Sequence, residues 1–246
     1  MYLLLCDPQD TVAIWTYKGL KQRGVAPLHV IHARELLNAR CAHTLGATGV
    51  SVEFNLEGYG RIHSDDIKGI LNRLLWLPFD YFLQAHPNDR DYALQECYAF
   101  FASWMHSLSA PVLNPATVSG LSGRWYTPFE WALLAAQTGL NISTYHMSNR
   151  TQFVDMRPDP TAHHQKLLVI GQCVVGPEVP AWVKSACVQL AKRTDLPLLG
   201  IHLVELPNDK WSFAGATPCP DLRTGDKQGL DVLADILLHP LPRSST

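Results

Sequence analysis

The sequence predicts an α/β protein in which a part built on parallel strands is followed by a part built on antiparallel hairpins. Three observations support this prediction. A strand pattern, a helix pattern and a second strand pattern follow one another near the start, which is the order of a βαβ unit. Two apolar hairpin patterns occur late in the chain, at 165–175 and 198–222. A well-marked helix start, with cap residues in their usual order, lies between the two parts.

The first elements follow from short apolar runs and from the residues that end them. Residues 2–6 are predicted as a buried strand and residues 28–31 as a second one. Between them, residues 11–23 have the periodicity of a helix that Gly24 ends. A short helix follows at 33–38. Because strand, helix and strand lie within about 30 residues, we expect a parallel sheet.

The rest of the first part contains a hairpin, a strand and a long helix. Residues 50–54 and 61–62 flank Gly58-Tyr59-Gly60, whose glycines favour a turn between two strands. Residues 67–71 are predicted as a further strand. Residues 90–108 are predicted as the longest helix, and its many aromatic residues lead us to expect that it is well buried.

The second part begins with a short strand at 111–115 and a helix that the sequence marks at both ends. Thr127, Pro128 and Glu130 form the pattern of a capping box, and Gly139 follows the helix as a C-terminal glycine. The remaining predicted elements are a strand at 141–146, a polar loop at 149–164, a hairpin at 165–175, a helix at 180–194, a hairpin at 198–222 and a helix at 229–238.

Composition excludes several classes of protein. Of 246 residues, 47% are hydrophobic and 17% are charged, which is enough for one large or two small cores. The net charge of -2 argues against nucleic acid or an anionic membrane as partner. The apolar run at 2–6 is too short for a signal peptide, and no run approaches the ~18 residues of a membrane span. With six scattered cysteines and no C-x-x-C pair, we expect a cytoplasmic protein with reduced thiols.

The order of these elements resembles the ATP-grasp superfamily, in the branch of carboxylate–amine ligases that act in peptide-modifying systems. The matching stretches are SDDIKGILNRLLWLP at 64–78, the stretch from Asn114-Pro115 to Ser148-Asn149, the hairpin at 167–176 and the run at 190–203. The similarity covers nearly the whole chain. It implies a Rossmann-like pre-ATP-grasp domain at 1–110, followed at 111–246 by a truncated ATP-grasp-like α+β domain.

The sequence departs from that family where its chemistry would take place. In ATP-grasp ligases the last hairpin reads roughly GIDxx…W.FxEvNP.P, and its acidic and amide side chains hold the magnesium ions on ATP. The corresponding positions here are His202, Gly215 and Thr217. Magnesium prefers carboxylate oxygens, so these residues are poor substitutes. The segment 149–164 is also short, and the resemblance implies that it replaces the lobe that clamps the nucleotide.

Three residues are candidates for binding a nucleotide or another anion, whereas we assign no catalytic residue and no metal ligand. Arg73 follows a predicted strand, where loops gather to bind anions, and its alternative role is a surface ion pair. Arg124 matches a basic position that touches phosphate in the family, and it also follows a weak phosphate-loop pattern, Gly120-x-x-Gly123. His202 would face the concave side of the hairpin, and its alternative role is a satisfied core or cleft histidine.

Two other features have both a purely structural and a functional interpretation. Lys166 could replace a phosphate-binding lysine, but a solvated lysine at a strand edge is favoured. Four aromatic residues surround Pro78, and we favour a place in the core over a partner-binding patch; they are Trp76, Phe79, Tyr81 and Phe82.

We therefore expect a degenerate ATP-grasp-like protein, a pseudoenzyme that serves as a scaffold or partner-binding subunit of a peptide- or amino-acid-modifying system. Its partner would be a protein or peptide, including a true ATP-grasp enzyme, and a homodimer is compatible with the sequence. No cofactor is expected. The alternative is an active ATP-dependent carboxylate–amine ligase, with ATP and Mg²⁺, that another chain completes. A third alternative is an unrelated α/β protein that binds a small molecule.

Overall fold

A computed structural model describes residues 1–47, 49–142, 163–207 and 210–239. The chain forms two compact units. The first contains Met1–Trp125 together with the chain from Leu230, and the second contains Tyr126–Gly229. Their limits differ from the predicted boundary after residue 110, because a strand at 112–113 pairs with the first sheet and the last helix returns to the first unit.

The first unit contains seven strands and three complete helices within the described residues. The strands are β1 (Tyr2–Cys6), β2 (Leu28–His32), β3 (Arg40–Gly46), β4 (Gly49–Leu56), β5 (Gly60–His63), β6 (Gly69–Asn72) and β7 (Val112–Leu113). The helices are α1 (Thr11–Gln22), α2 (Ala33–Asn38) and α3 (Arg90–Ser107).

The second unit contains five strands, two complete helices and the start of a third within the described residues. In chain order they are α4 (Pro128–Gln137), β8 (Asn141–Ile142), β9 (His163–Ile170), β10 (Cys173–Val175), α5 (Ala181–Arg193), β11 (Leu198–Leu206), β12 (Lys210–Thr217) and α6 (Asp226–Leu238), which continues into the first unit. None of the helices in the described parts of the chain combines the length and apolar character needed to cross a membrane.

The predicted βαβ unit is confirmed as the centre of a parallel sheet. The strand order is β2-β1-β6-β7, and all three pairings are parallel. Every residue of β1 and β6 is buried, as expected for strands covered on both faces. Helix α1 begins after Asp10, whose carboxylate accepts a hydrogen bond from the backbone N–H of Ala13 at 3.0 Å.

A second, antiparallel sheet in the first unit has the order β3-β4-β5. The predicted hairpin around Gly58 corresponds to β4 and β5. Strand β3 is an edge strand that the sequence analysis missed. All seven of its residues are exposed, so the sequence lacks the apolar alternation that marks a half-buried strand.

The expectation that 90–108 is well buried is wrong. Helix α3 exists nearly as predicted, but it buries only Phe101, Trp104 and Met105, and Tyr92 is 66% exposed. The buried residues lie near its C-terminal end, where Trp104 packs against Phe54 of β4. A surface helix needs only one apolar stripe, so its other aromatic residues remain partly in solvent.

The aromatic residues around Pro78 are divided between core and surface, which corrects the preference for a core. Phe82 is buried, whereas Trp76 is 64% and Phe79 is 60% exposed. Tyr81 is half-buried and donates its hydroxyl hydrogen to the carbonyl of Leu37 at 2.9 Å. Residues 79–84 form a short 3₁₀ helix, in which adjacent side chains point in different directions.

The sheet of the second unit has the order β10-β9-β11-β12-β8, with β8 parallel to β12 and the other pairs antiparallel. Both predicted hairpins are confirmed. Helix α5 supplies the predicted buried stripe, formed by Val183, Ala186, Cys187, Leu190 and Ala191. It shares a core with the β11 residues Leu199, Ile201 and Leu203.

The chain around residues 127–170 shows both a confirmed and a corrected prediction. In the capping box of α4, Glu130 accepts from the N–H of Thr127 at 2.7 Å, and Thr127 accepts from the N–H of Glu130 at 3.3 Å. His163 and His164 were predicted in a polar loop but begin strand β9. Residues 149–162, the rest of that predicted loop, lie outside the described residues.

Candidate functional site

The register of β11 and β12 brings together the three positions that departed from the metal-binding pattern. His202 lies opposite Gly215, and Gly200 lies opposite Thr217. Residues opposite each other, or two apart on one strand, share a face of a sheet. His202, Gly215 and Thr217 therefore lie on one face, and it is not the core face, which Ile201 and Leu203 occupy.

Strand β9 adds two basic residues to the same face. Lys166 lies opposite His202 on the side away from β12, and His164 lies two residues before Lys166. All three side chains are exposed. Within the described parts of the chain, the structure gives none of the three a hydrogen bond or an ion pair.

The electrostatics of this face disfavour a charged imidazole. Partial burial lowers the pKa of His202, and the positive charges of Lys166 and His164 lower it further. Each effect penalises the protonated form, since a cation loses hydration and meets like charges. An anion placed among the three side chains would reverse the second effect.

Other parts of the second unit cover this sheet face closely near Gly200 but not near Gly215. A Cβ atom at Gly200 would lie 2.6 Å from Cβ of Pro220, and one at Gly225 would lie 2.9 Å from Cδ1 of Leu168. A Cβ atom at Gly215 would meet nothing within 4 Å. The part of the face around His202 therefore has free space beside Gly215.

The donor set of this face does not fit magnesium. An imidazole is a poor ligand for a hard cation, Gly215 has no side chain, and the hydroxyl of Thr217 is neutral. In the part of the chain that the structure describes, no group of three or more His, Cys, Asp or Glu side chains could hold a metal ion.

Arg73 lies in the first unit, in a buried ion pair at the carboxyl end of β6. Its Nε donates to Oδ2 of Asp10 at 2.7 Å, and its side chain is 4% exposed. Its backbone N–H donates to the carbonyl of Leu5 at 2.8 Å. The alternative role as an ion pair is thus correct in kind but wrong in location, since the pair is buried. Anion binding by Arg73 stays a prediction.

Arg124 is an exposed residue of the first unit at the end of a constrained loop. A Cβ atom at Gly120 would lie 2.3 Å from the carbonyl oxygen of Gly123, whose φ is +84°. The loop therefore requires glycine at both positions. The role of Arg124 in binding phosphate stays a prediction.

Asn72 holds this loop and was missed by the sequence analysis. Its buried side-chain amide donates to the carbonyls of Asn114 at 2.8 Å and Leu121 at 2.6 Å. Ser122 donates in return to the carbonyl of Asn72 at 3.1 Å. These partners lie 42 to 50 residues away in the chain. The only local signal is an amide that directly follows a buried apolar strand.

Cys6 and His32 are close but do not form a nucleophilic pair. The Sγ of Cys6 lies 3.8 Å from Nδ1 of His32. Burial raises the pKa of Cys6 to about 12, and the charge of Asp10 acts in the same direction. The thiolate is the nucleophilic form, so at neutral pH this cysteine is inert.

Comparison with solved structures identifies the fold. The chain superposes on the macrocyclase MdnC of Microcystis aeruginosa, bound with its precursor peptide MdnA, with a TM-score of 0.71 and 13% identity over 98% of this chain and 100% of that one. The chain therefore has the ATP-grasp fold. This result confirms the predicted α/β class and the predicted resemblance in fold.

Two further structures with the ATP-grasp fold give the same result. A RiPP-associated ATP-grasp ligase of Chryseobacterium gregarium, in complex with ADP and a leader and core peptide, has a TM-score of 0.68 and 11% identity over 98% of this chain and 97% of that one. The D-alanine-D-alanine ligase of Aeromonas hydrophila has a TM-score of 0.53 and 10% identity over 96% and 99%. No protein-family model matches the sequence, and no curated protein matches it significantly.

Proposed function

We propose that this chain is a non-catalytic protein with the ATP-grasp fold that binds a peptide or protein partner in a peptide- or amino-acid-modifying system. One observation carries the proposal. The hairpin β11–β12 is present and paired on both sides of a register shift after His202, but its three key positions hold His202, Gly215 and Thr217. A phosphoryl-transfer site needs cations to neutralise developing charge, and this face offers magnesium no carboxylate.

Structures with the same fold support the choice of a peptide as partner. MdnC is bound with a precursor peptide, and the Chryseobacterium gregarium ligase is in complex with a leader and core peptide. The partner that we propose is such a peptide or a true ATP-grasp enzyme, and the location is the cytoplasm. The proposal includes a leading domain and a truncated ATP-grasp-like domain, for which the sequence predicts the limits 1–110 and 111–246.

The decisive experiment measures ATP turnover by the purified protein, with and without Mg²⁺. We expect none, while candidate peptides and ligases are tested for binding by calorimetry and co-purification. Mg²⁺-dependent turnover that Arg124→Ala abolishes would overturn the proposal. A variant of an exposed residue elsewhere, Lys184→Gln, controls for general effects on the protein.

The second candidate function is an active carboxylate–amine ligase that another chain completes, with ATP and Mg²⁺ as cofactors. It is favoured by the constrained loop that precedes Arg124, because Asn72 holds the backbone of that loop through the carbonyls of Asn114 and Leu121. This candidate predicts turnover only in a mixture with the second chain. A mixture with each co-purified partner, tested with Mg²⁺ present, would reveal it.

A further inference from the structure

We infer that Cys41 and Cys97 form a reversible disulfide that ties strand β3 to helix α3. The two cysteines are far apart in the chain, and both are free thiols in the structure. The inference concerns a modification site within the first unit, so it holds whether or not the proposed function is correct. It assigns a role to two residues that the sequence analysis left among six scattered cysteines.

The pairing of β3 with β4 sets the direction of the Cys41 side chain. Cys41 lies directly opposite Phe54, and residues opposite each other in an antiparallel pair share a face of the sheet. Phe54 is buried and packs against Trp104 of α3, with 4.6 Å between the ring centroids. The side chain of Cys41 therefore lies on the face of β3 that is turned towards α3.

Helix α3 brings Cys97 to the same region. Phe100 follows Cys97 by one turn and lies on the same side of the helix. Its ring contacts the two neighbours of Cys41 on that sheet face, Phe54 across the strand pair and His43 further along β3, each with 5.8 Å between ring centroids. Cys97 is half-buried and packs against the core of the first unit. One helical turn therefore separates Cys97 from the contacts that surround Cys41.

The electrostatics of Cys97 agree with this placement. Burial raises the pKa of Cys97, and negative charge on Cys41 raises it further, ahead of the smaller effect of Glu96. Because the interaction between two charges falls with distance, this effect requires the two sulfur atoms to be near each other. A covalent bond between them would remove both thiolate charges and their repulsion.

Strand β3 is free to adjust to the geometry of the bond. A disulfide needs Cα atoms about 4.4–6.8 Å apart. All seven residues of β3 are exposed, and β3 is an edge strand that pairs with β4 alone among the described residues. A strand with few buried contacts and exposed hydrogen bonds opens more easily than a central one. The disulfide would therefore fix a weakly held strand to a helix that is anchored in the core.

The reaction is a thiol–disulfide exchange with a small disulfide, oxidised glutathione. Cys41 is exposed, so its thiolate attacks first, forms a mixed disulfide and releases one glutathione thiolate. The thiolate of Cys97 then attacks the sulfur of Cys41 and releases the second glutathione thiolate. Each released thiolate takes up the proton that the attacking cysteine has lost. The protein loses two electrons and two protons, and oxidised glutathione gains them.

The test treats the full-length protein with oxidised glutathione at pH 8, alkylates the remaining thiols and analyses the peptides by mass spectrometry. We expect loss of free thiol at both Cys41 and Cys97, and one cross-linked peptide pair that a reductant separates. Cys173 is exposed on a strand of the other unit and should carry a glutathione adduct. That adduct shows that the oxidant has acted, so its presence without the cross-link would overturn the inference.

Two variants separate the roles of the two cysteines. In Cys97→Ser no thiol resolves the mixed disulfide, so a glutathione adduct should accumulate at Cys41 that the native protein does not retain. In Cys41→Ser, Cys97 should stay unmodified, because it is half-buried and its raised pKa lowers its thiolate fraction. The matched control, Cys173→Ser, should leave the yield of the cross-link unchanged. Circular dichroism confirms that the variants fold.

Two results with these variants would overturn the site. One is a cross-link from Cys41 to any cysteine other than Cys97. The other is an equal amount of glutathione adduct at Cys41 in the native protein and in Cys97→Ser, since it would mean that Cys97 does not reach the mixed disulfide.

Hydrogen exchange gives an independent readout of what the bond does. Oxidation should slow the exchange of the backbone amides of β3, and reduction should restore it. The amides of β10, an edge strand in the second unit, should exchange at the same rate in both forms. Unchanged exchange of β3 in cross-linked protein would contradict the inference that the disulfide ties this strand to α3.

Discussion

Polar residues have opposite surroundings at the carboxyl end of the parallel sheet in the first unit and on the non-core face of the sheet in the second unit. At the first, Asn72 and Arg73 are buried and bound to specific protein partners. At the second, Lys166 and His202 are exposed, lie side by side and have no partner among the described residues. A buried polar group must have its partner within the protein, whereas an exposed and unpartnered cluster is open to a ligand. The presence of a partner within the protein, more than the residue type, therefore distinguishes structural polar residues from candidate ligand-binding ones.

The largest contrast should appear in cysteine reactivity. Cys6 lies at the paired end of the first sheet, and its pKa of about 12 leaves about a thousandfold less thiolate at pH 8 than an ordinary thiol has. Cys173 is exposed at the start of β10. Iodoacetamide should therefore modify Cys173 and spare Cys6, as measured by mass spectrometry. Similar labelling of both in the folded protein would contradict a buried Cys6, and labelling in urea is the control.

The next largest effect should be on stability. Arg73→Met leaves the carboxylate of Asp10 buried without its ion pair, so the free energy of unfolding should fall by about 3 kcal/mol. Lys184→Met removes an exposed pair with Glu178 and should cost less than about 1 kcal/mol. Urea unfolding measures both. Equal changes would mean that the pair is not as buried as the exposures of 4% for Arg73 and 14% for Asp10 indicate.

Gly200 and Gly215 of the hairpin β11–β12 test how closely the non-core face is covered at each position. Gly200→Ala places a methyl group 2.6 Å from Cβ of Pro220, and should cost about 1–3 kcal/mol through overpacking. Gly215→Ala meets nothing within 4 Å and should change stability by less than about 0.5 kcal/mol. Thermal unfolding distinguishes them. A larger loss for Gly215→Ala would show that the space beside His202 is filled.

The smallest effect should be a pH dependence of stability. The folded-state pKa of His202 lies below its unfolded value, so the unfolded chain binds more protons as the pH falls below about 6.5. The contribution of His202 to stability is therefore present above that value and is lost towards the folded pKa. His202→Gln should flatten the stability curve between pH 6.5 and pH 5. An unchanged slope in the variant would contradict the prediction.

Local signals account for the parts of the fold that the sequence analysis predicted. The capping box of Thr127 and Glu130 and the stripe of α5 depend on residues three or four positions apart. Strand β3 was missed because none of its residues is buried. Arg73 was identified as a candidate, but its partner Asp10 lies 63 residues away, so no local pattern could show that the pair is buried.

By itself the sequence determined the α/β class, the order of most elements and the absence of carboxylates at three positions of the last hairpin. Only the tertiary structure decided which polar residues are neighbours. The pairing of β9 with β11 placed Lys166 beside His202, although 36 residues separate them in the chain. Hydrophobic periodicity records which face of an element is buried, whereas register between distant strands is set by how whole elements pack.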